Sequence, residues 1–296
     1  MPDIPYMAPL LKTPDGIDLT CYLFPQTRTS LTSSCKEVYI YSNPYDNPSP
    51  FVDERVELTE AAAEARATVI VFHGDLMHNY HCFLTASVLH QMKCNVFLLS
   101  YRGYGFSGGK PTEAGLRIDA QTALDYILSQ PYLAHVPIIV CGHSLGGGVA
   151  IDLASRNSSR VAAVMVSNTF TSIPDIVRTW PIVGPLSFIC TQKWRSIDKL
   201  RLIPTTTPIL MISGRRDDVI PVQLMDKLWQ AAQKRGLPRK SWFRWSVPWS
   251  APDDTETVSD VLPEHDKFVM MEYVTHGELR INRIIVGMLI TKRLYI

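Results

Sequence analysis

The stretch that most constrains the fold is IIVCGHSLGGG, which occupies residues 138–148. It begins as an apolar run rich in β-branched residues, which is typical of a buried strand. The run stops at Gly142, Ser144 follows two residues later, and residues 149–156 have a helical pattern. We therefore predict a strand, a sharp turn and a helix, with Ser144 on the turn.

Residues 142–146 fit the pattern G-x-S-x-G, the nucleophile elbow of serine hydrolases. Glycines flank the serine because a Cβ on either side would collide with the neighbouring strand or helix. The helix that begins there directs free N–H groups and a partial positive charge at the same point. An alternative is a glycine-rich turn of a dinucleotide or phosphate site, in which Ser144 only caps the helix.

The bulk composition is that of a globular protein, with 296 residues, 46% of them apolar, and a net charge of +1. We predict one domain over residues 1–296. Acidic and basic residues are interspersed, so a nucleic-acid partner is not expected. No apolar run approaches the roughly 20 residues needed for a transmembrane segment, and residues 1–11 lack a secretory signal pattern. These features predict an intracellular, cytoplasmic protein.

The six cysteines are dispersed and form no C-x-x-C pair, and the nearby histidines lack zinc-site spacing. This usage is typical of reduced, buried thiols. We therefore predict no metal site, and Cys141 is expected to be a small core residue. The sequence predicts no cofactor and gives no indication of the oligomeric state.

Strands and helices alternate along most of the chain, which predicts a parallel sheet with helical crossovers. An alternating strand at 16–24 and a short strand at 37–41 precede the first crossover and suggest an antiparallel start to the sheet. The apolar, strand-length runs lie at 68–72, 95–99, 137–141, 162–166, 208–213 and 267–273.

Two stretches interrupt this alternation. Residues 168–206 contain four prolines and several aromatic residues, which favours a short lid over a pocket. Phe170, Trp180 and Phe188 are the candidate pocket residues, and a packed surface insertion is the alternative. Residues 236–266 are polar and predict a long loop.

The candidate catalytic residues follow the carboxyl ends of predicted strands, where open α/β sheets bind their ligands. A serine nucleophile needs a base to accept its proton and an acid to orient that base. Ser144, Asp217 and His276 occur in the chain order nucleophile, acid, base that is typical of this arrangement. Asp218 is the alternative acid, although it also suits capping of the next helix. His265 is the rival base, but it precedes the last strand.

The reaction also needs two N–H donors for the oxyanion of a tetrahedral intermediate. The backbone of Leu145, directly after the nucleophile, is the first candidate. The second is expected from the loop after Phe72, at Asp75 or Leu76, and His73 is expected to order that loop through hydrogen bonds.

Several motifs together resemble a known family, the bud-emergence (Bem-type) branch of the α/β-hydrolase superfamily. The matching motifs are YRGYG at 101–105, EAGL at 113–116, GHSLGG at 142–147, NTFTSI at 168–173 and QKW at 192–194. The likeness extends from about residue 68 to the C-terminus and is weaker across 236–266. It implies the α/β-hydrolase fold and a triad at Ser144, Asp217 and His276.

Three features depart from the family pattern. Residues 73–77 are HGDLM, where the family usually has His-Gly-Asn-Ala-Gly, and residues 276–278 are His-Gly-Glu, where relatives tend to have His-Asn-Asp. Family members usually carry an N-terminal membrane anchor, which is not expected here. Peripheral membrane association is therefore implied by the resemblance only.

Together these patterns predict a serine hydrolase that cleaves acyl esters or thioesters through an acyl-enzyme. The expected substrate is a small acyl compound or an acylated protein. A non-catalytic scaffold that binds a ligand or partner is one alternative, and a peptidase or amidase on the same fold is another.

Overall fold

The computed structural model describes residues 4–27, 58–75, 79–237 and 265–277. The predicted strand at 37–41 and the candidate oxyanion donor Leu76 lie outside these residues. The described strands are β1 Leu10–Lys12, β2 Asp18–Phe24, β3 Thr68–Phe72, β4 Asn95–Leu99, β5 Ile138–His143, β6 Ala163–Ser167, β7 Ile209–Gly214 and β8 Lys267–Met271.

These strands form one sheet in the order β1-β2-β4-β3-β5-β6-β7-β8. β2 pairs antiparallel with both β1 and β4, whereas every pairing from β4 through β8 is parallel. The mostly parallel sheet with an antiparallel start is therefore confirmed. The sequence prediction missed β1, because its three residues are too few to show a period.

Helices occupy the crossovers between the strands. Thr112 caps the helix that follows it, since its hydroxyl accepts a hydrogen bond from the backbone N–H of Gly115 at 3.0 Å. The described α-helices are α1 Glu60–Ala63, α2 Asn79–Gln91, α3 Glu113–Ser129, α4 Pro131–Ala134, α5 Leu145–Arg156, α6 Ile173–Arg178, α7 Ser196–Leu200 and α8 Val222–Gln233.

The sheet is buried on both faces, and every residue of β3 and β4 is buried. Ile70 and Phe72 face the larger core, which also contains side chains of α3, α5 and α8. Val69 and Val71 face the opposite core, which contains side chains of α2. Continuous apolar strands are expected when helices cover both faces of a parallel sheet, as α3, α5 and α8 on one face and α2 on the other do here.

The segment between β6 and β7 contains α6, a 3₁₀ helix at Gly184–Ile189, and α7. Its return toward the sheet is anchored by the Glu113 carboxylate at the start of α3. One oxygen of that carboxylate accepts the backbone N–H groups of Lys193 at 2.7 Å and Trp194 at 3.0 Å. Lys199 of α7 also pairs with the buried Asp152 of α5 at 2.7 Å. The C-terminal part of this segment is thus bound to α3 and α5.

The described cysteines are free thiols, as predicted. Burial raises the pKa of Cys82 to about 12 and that of Cys94 to about 11, so both are protonated near neutral pH. Cys141 is buried within the sheet, as expected for a core residue. Among the residues that the structure describes, no helix is long and apolar enough to cross a membrane.

Candidate active site

Ser144 lies on the sharp turn between β5 and α5, with φ 53° and ψ −119°. A non-glycine residue in this region is strained and is found where the surrounding structure enforces it. A Cβ on Gly142 would lie 2.1 Å from the Gly146 carbonyl oxygen, and one on Gly146 would lie 2.1 Å from that of Phe72. The collisions expected from the sequence are therefore present at both glycines.

The structure brings the side chains of Ser144, His276 and Asp217 into one hydrogen-bonded chain. The His276 Nε2 atom is 3.0 Å from the Ser144 Oγ atom. The His276 Nδ1 atom is 2.8 Å from one carboxylate oxygen of Asp217. In this geometry the imidazole can accept the serine proton at Nε2 while Nδ1–H donates to the carboxylate.

The Asp217 carboxylate is held on both oxygens. Its second oxygen accepts the backbone N–H groups of Val219 at 2.9 Å and Ile220 at 2.7 Å, and the side chain is 1% exposed. Asp218 is exposed, and the N–H groups of this turn are bound by Asp217 instead. His265 is exposed and precedes β8, so it lies at the opposite end of that strand from His276.

Asn168 connects the loops that hold the acid and the histidine. It follows β6 with a φ of 42°, and its side chain is buried. Its Oδ1 atom accepts the backbone N–H of Gly214 at 2.8 Å, and its Nδ2 atom is 3.4 Å from the carbonyl oxygens of Thr275 and His276. The only sequence signal was its place in the family motif at 168–173, and no role was predicted for it.

His143 packs against His276, with ring centroids 4.9 Å apart and planes tilted by 45°. The His143 Nδ1 atom is 3.1 Å from the Ser167 hydroxyl. Burial, together with the neighbouring His276, lowers the pKa of His143 to about 4. His143 is therefore uncharged at neutral pH and does not disfavour an imidazolium at His276.

The loop after β3 contains the predicted oxyanion donor Asp75. Asp75 is exposed, and its carboxylate accepts a hydrogen bond from the Tyr104 hydroxyl. The other predicted donor, Leu145, is the first residue of α5, so its N–H has no acceptor within the helix.

Two tyrosines of the YRGYG motif pack against His73 in the loop after β3. The buried Tyr101 hydroxyl donates to the His73 carbonyl oxygen at 3.2 Å, and its ring centroid is 4.4 Å from that of His73. The Tyr104 ring lies edge-on at 5.1 Å from the same imidazole. The His73 Nδ1 atom is 2.8 Å from the Gly74 carbonyl oxygen, consistent with the expected role of this histidine in ordering the loop.

Arg102, the second residue of the motif, is anchored by two carboxylates. Its guanidinium is 2.8 Å from Asp119 of α3 and 2.7 Å from Asp15, and its backbone N–H donates to Asp119 at 2.8 Å. Gly115 is required beside it, because a Cβ there would lie 2.5 Å from the Arg102 Cδ atom. Arg102 thus connects the motif to α3 and to Asp15, whereas Tyr101 and Tyr104 contact the loop after β3.

The three predicted pocket aromatics do not share one environment. Phe170 is 1% exposed and packs in the larger core beside Gly148 of α5. Trp180 and Phe188 lie at the surface of the segment between β6 and β7. Burial therefore favours a core role for Phe170, and a pocket role for the other two stays a prediction.

Sequence comparison places these features in a family. A family model described as serine aminopeptidase, S33, matches residues 63–198. Protein bem46 of Schizosaccharomyces pombe is 37% identical over 225 residues, which cover 73% of this chain and 73% of that protein. The chain belongs to the bem46 branch of the α/β-hydrolases. The predicted family is thereby confirmed.

Further bem46-branch and structural relatives agree with this assignment. The α/β-hydrolase domain-containing protein WAV2 of Arabidopsis thaliana is 35% identical over 189 residues, covering 58% of this chain and 60% of WAV2. The solved structure of the Pyrococcus furiosus esterase Pf2001 superposes with a TM-score of 0.62 at 15% identity, covering 96% of this chain and 89% of that one. The latter similarity concerns the fold alone, and it supports the α/β-hydrolase fold.

Proposed function

We propose that this hydrolase-family protein cleaves acyl esters or thioesters through a covalent acyl-enzyme on Ser144. The main support is the continuous hydrogen-bonded chain from Ser144 through His276 to Asp217, with distances of 3.0 and 2.8 Å. Its position after β5, β7 and β8 matches the edge of the sheet where α/β proteins bind ligands.

In the acylation step, the Ser144 oxygen attacks the substrate carbonyl carbon while its proton passes to His276 Nε2. Asp217 holds the tautomer and stabilises the imidazolium that forms. Collapse of the tetrahedral intermediate expels an alcohol or a thiol, which takes its proton from His276. Water then attacks the acyl-serine with His276 as base and releases the acid.

The oxyanion of the intermediate is assigned to the backbone N–H groups of Leu145 and Asp75. The start of α5 adds a favourable partial positive charge at the first of these. The Asp75 carboxylate accepts a hydrogen bond from the Tyr104 hydroxyl. The proposed oxyanion donor is the backbone N–H of Asp75, not its side chain. Each such donor typically contributes about 10²–10³-fold to turnover.

A peptidase or amidase is the second candidate, because the matching family model is described as a serine aminopeptidase. Esters and thioesters are favoured by the exposed apolar surface at Trp180 and Phe188, which suits an acyl chain. The two candidates share the nucleophile and differ only in the leaving group.

The nucleophile is tested by labelling the protein with a fluorophosphonate and mapping the adduct by mass spectrometry. We expect the label on the peptide that contains Ser144 and its loss in Ser144→Ala. Ser129→Ala is the matched control, since this exposed serine at the end of α3 lies outside the site. A label that persists in Ser144→Ala would contradict the assignment, and a folded protein that never labels would favour a non-catalytic scaffold.

The leaving group is tested with matched p-nitrophenyl esters, thioesters and p-nitroanilides that carry the same acyl chains. We expect kcat/KM to be highest for the oxygen or sulfur esters and to rise with acyl length. A preference for the anilides would replace the esterase assignment with an amidase.

A further inference from the structure

Large apolar side chains are concentrated at the surface of the segment between β6 and β7. Six of them are exposed within ten consecutive residues, including Ile182 at 90% and Phe188 at 72%. We call this surface the 180–189 patch, and its exposed members are Trp180, Ile182, Val183, Leu186, Phe188 and Ile189. Contiguous apolar exposure of this kind is uncommon in proteins and marks interaction sites.

The local backbone turns these side chains outward. The backbone N–H of Gly184 donates to the Trp180 carbonyl oxygen at 2.9 Å, which closes a tight turn before the 3₁₀ helix. Gly184 and Ser187, the small residues of that helix, are buried, whereas Leu186 and Phe188 are exposed. The arrangement reverses the usual order in which small polar residues face solvent and large apolar residues face the core.

Two basic residues close to the patch in sequence have no ion pair among the described residues. Residues 175–202 contain five basic and two acidic residues. Arg178, Arg195 and Lys199 are paired with Asp175, Asp198 and Asp152, which leaves Lys193 and Arg201. The Lys193 ammonium donates to the Phe188 carbonyl oxygen at 3.2 Å, so this cation lies directly beside the apolar surface. The basic residues are Arg178, Lys193, Arg195, Lys199 and Arg201.

We propose that the 180–189 patch docks on an anionic phospholipid bilayer. Apolar side chains with adjacent cations suit the boundary between acyl chains and anionic headgroups, and tryptophan is favoured at that depth. Lys193 supplies the cation that adjoins the patch, and lysine is a residue type depleted in protein interfaces. The patch lies in the connection between β6 and β7. Asn168 directly follows β6, and Asp217 lies in the loop after β7.

Docking would bring the bilayer to the part of the protein that holds Ser144. This consequence rests on the proposed hydrolase function, but docking itself requires no turnover. Ser144→Ala is therefore expected to bind vesicles as the wild type does. A failure of the catalytic proposal is thus distinguishable from a failure of the docking proposal.

The test is sedimentation of the full chain with phosphatidylcholine vesicles, with and without phosphatidylserine. We expect binding to the anionic vesicles and a loss of about tenfold or more in Ile182→Ser/Phe188→Ser, given the apolar area that these residues bury. Lys193→Gln/Arg201→Gln is expected to reduce binding by about fivefold per cation. Leu10→Ser is the control, because Leu10 is 72% exposed on β1 at the other edge of the sheet and should leave binding unchanged.

A second measurement avoids polar substitutions in the patch. Vesicles that contain brominated lipids should quench part of the tryptophan fluorescence of the wild type, and Trp180→Phe should remove that quenched part. Circular dichroism of every variant verifies the fold.

Three results would overturn the proposal. The first is equal vesicle binding by Ile182→Ser/Phe188→Ser and the wild type, and the second is equal binding to vesicles with and without phosphatidylserine. The third is a wild type that binds no vesicles but self-associates without lipid, when Ile182→Ser/Phe188→Ser abolishes that self-association. That result would make the patch a contact between copies of this chain.

Discussion

At the scale of single residues, Asn168 shows how the candidate site is held together. One amide side chain binds the end of β7 through Gly214 and the histidine loop through the carbonyl oxygens of Thr275 and His276. Its position therefore couples the placement of the base to that of the acid. This is a positioning role, since the contacts are made to backbone atoms rather than to reacting groups.

We predict that Asn168→Ala lowers kcat by about 10²-fold with little change in KM, because a displacement of His276 by about 1 Å is enough for such a loss. Asn157→Ala at the end of α5 is the control and should retain turnover. Steady-state kinetics on an activated ester provide the measurement. Unchanged kcat in a folded Asn168→Ala protein would disprove the positioning role.

Tyr104 has a comparable role at the oxyanion loop. In Tyr104→Phe the ring can still pack on His73, but the hydrogen bond to Asp75 is lost. We predict a fall in kcat/KM of about tenfold, which corresponds to the net value of one such hydrogen bond. Tyr132→Phe, in α4, is the matched control. Equal kcat/KM in wild type and Tyr104→Phe would mean that this bond does not order the donor.

His143 gives a prediction for the pH dependence of stability. Its pKa is lowered from the ordinary value near 6.5 to about 4, so between these values the unfolded chain binds a proton that the folded chain does not. The free energy of unfolding should therefore fall as the pH drops from about 6.5 to about 4. His143→Asn should reduce that fall, as measured by urea unfolding at both pH values. The same pH slope in both proteins would contradict the lowered pKa.

At the scale of elements, the strand–turn–helix at β5 and α5 depends on glycines that allow close backbone approach. We predict that Gly146→Ala destabilises the fold by about 3 kcal/mol or more, since the added Cβ would meet the Phe72 carbonyl group of the neighbouring strand. In Gly108→Ala the new Cβ would have no neighbour closer than 3.8 Å, so this control should change stability by less than about 1 kcal/mol. Urea unfolding measures the free energy of unfolding of both variants. Equal values would mean that the backbone around Ser144 can shift to accommodate the added Cβ.

Element positions were largely predictable because their signals are local. The buried runs at 68–72 and 95–99 coincide with β3 and β4, and the strand–turn–helix predicted around Ser144 is formed by β5 and α5. The same reasoning could not identify Asn168, His143 or Tyr104 as parts of the site. Their contacts join residues far apart in sequence, and no local pattern distinguishes these side chains from ordinary loop or core residues.

At the scale of the whole molecule, the order of strands brings the proposed triad together. β5, β6, β7 and β8 are successive neighbours in the sheet, so the loops that follow them meet at one edge. Sequence alternation predicts a parallel sheet but not this order. The order follows from which apolar faces pack together, and that depends on the complete set of elements.

The ion pair between Arg235 and Asp266 also became evident only in the folded chain. Asp266 was predicted at the end of a polar loop, but the pair is buried, with a nitrogen–oxygen distance of 2.8 Å. Asp266 also accepts the backbone N–H of Ile209 at 2.9 Å, which connects the start of β7 to the residue before β8. The charge of Asp266 suggests an exposed side chain. Its burial is tolerated because Arg235 and the backbone N–H of Ile209 bind the carboxylate.

The central claim is that His276 activates Ser144, and the rate of fluorophosphonate labelling tests it most directly. Wild type, His276→Ala and His265→Ala would be labelled under identical conditions, with the Ser144 peptide quantified over time. We predict that His276→Ala slows labelling by about 10³-fold or more while His265→Ala labels at the wild-type rate. The claim would be contradicted if His276→Ala were labelled at the wild-type rate. It would also be contradicted if His265→Ala were no longer labelled.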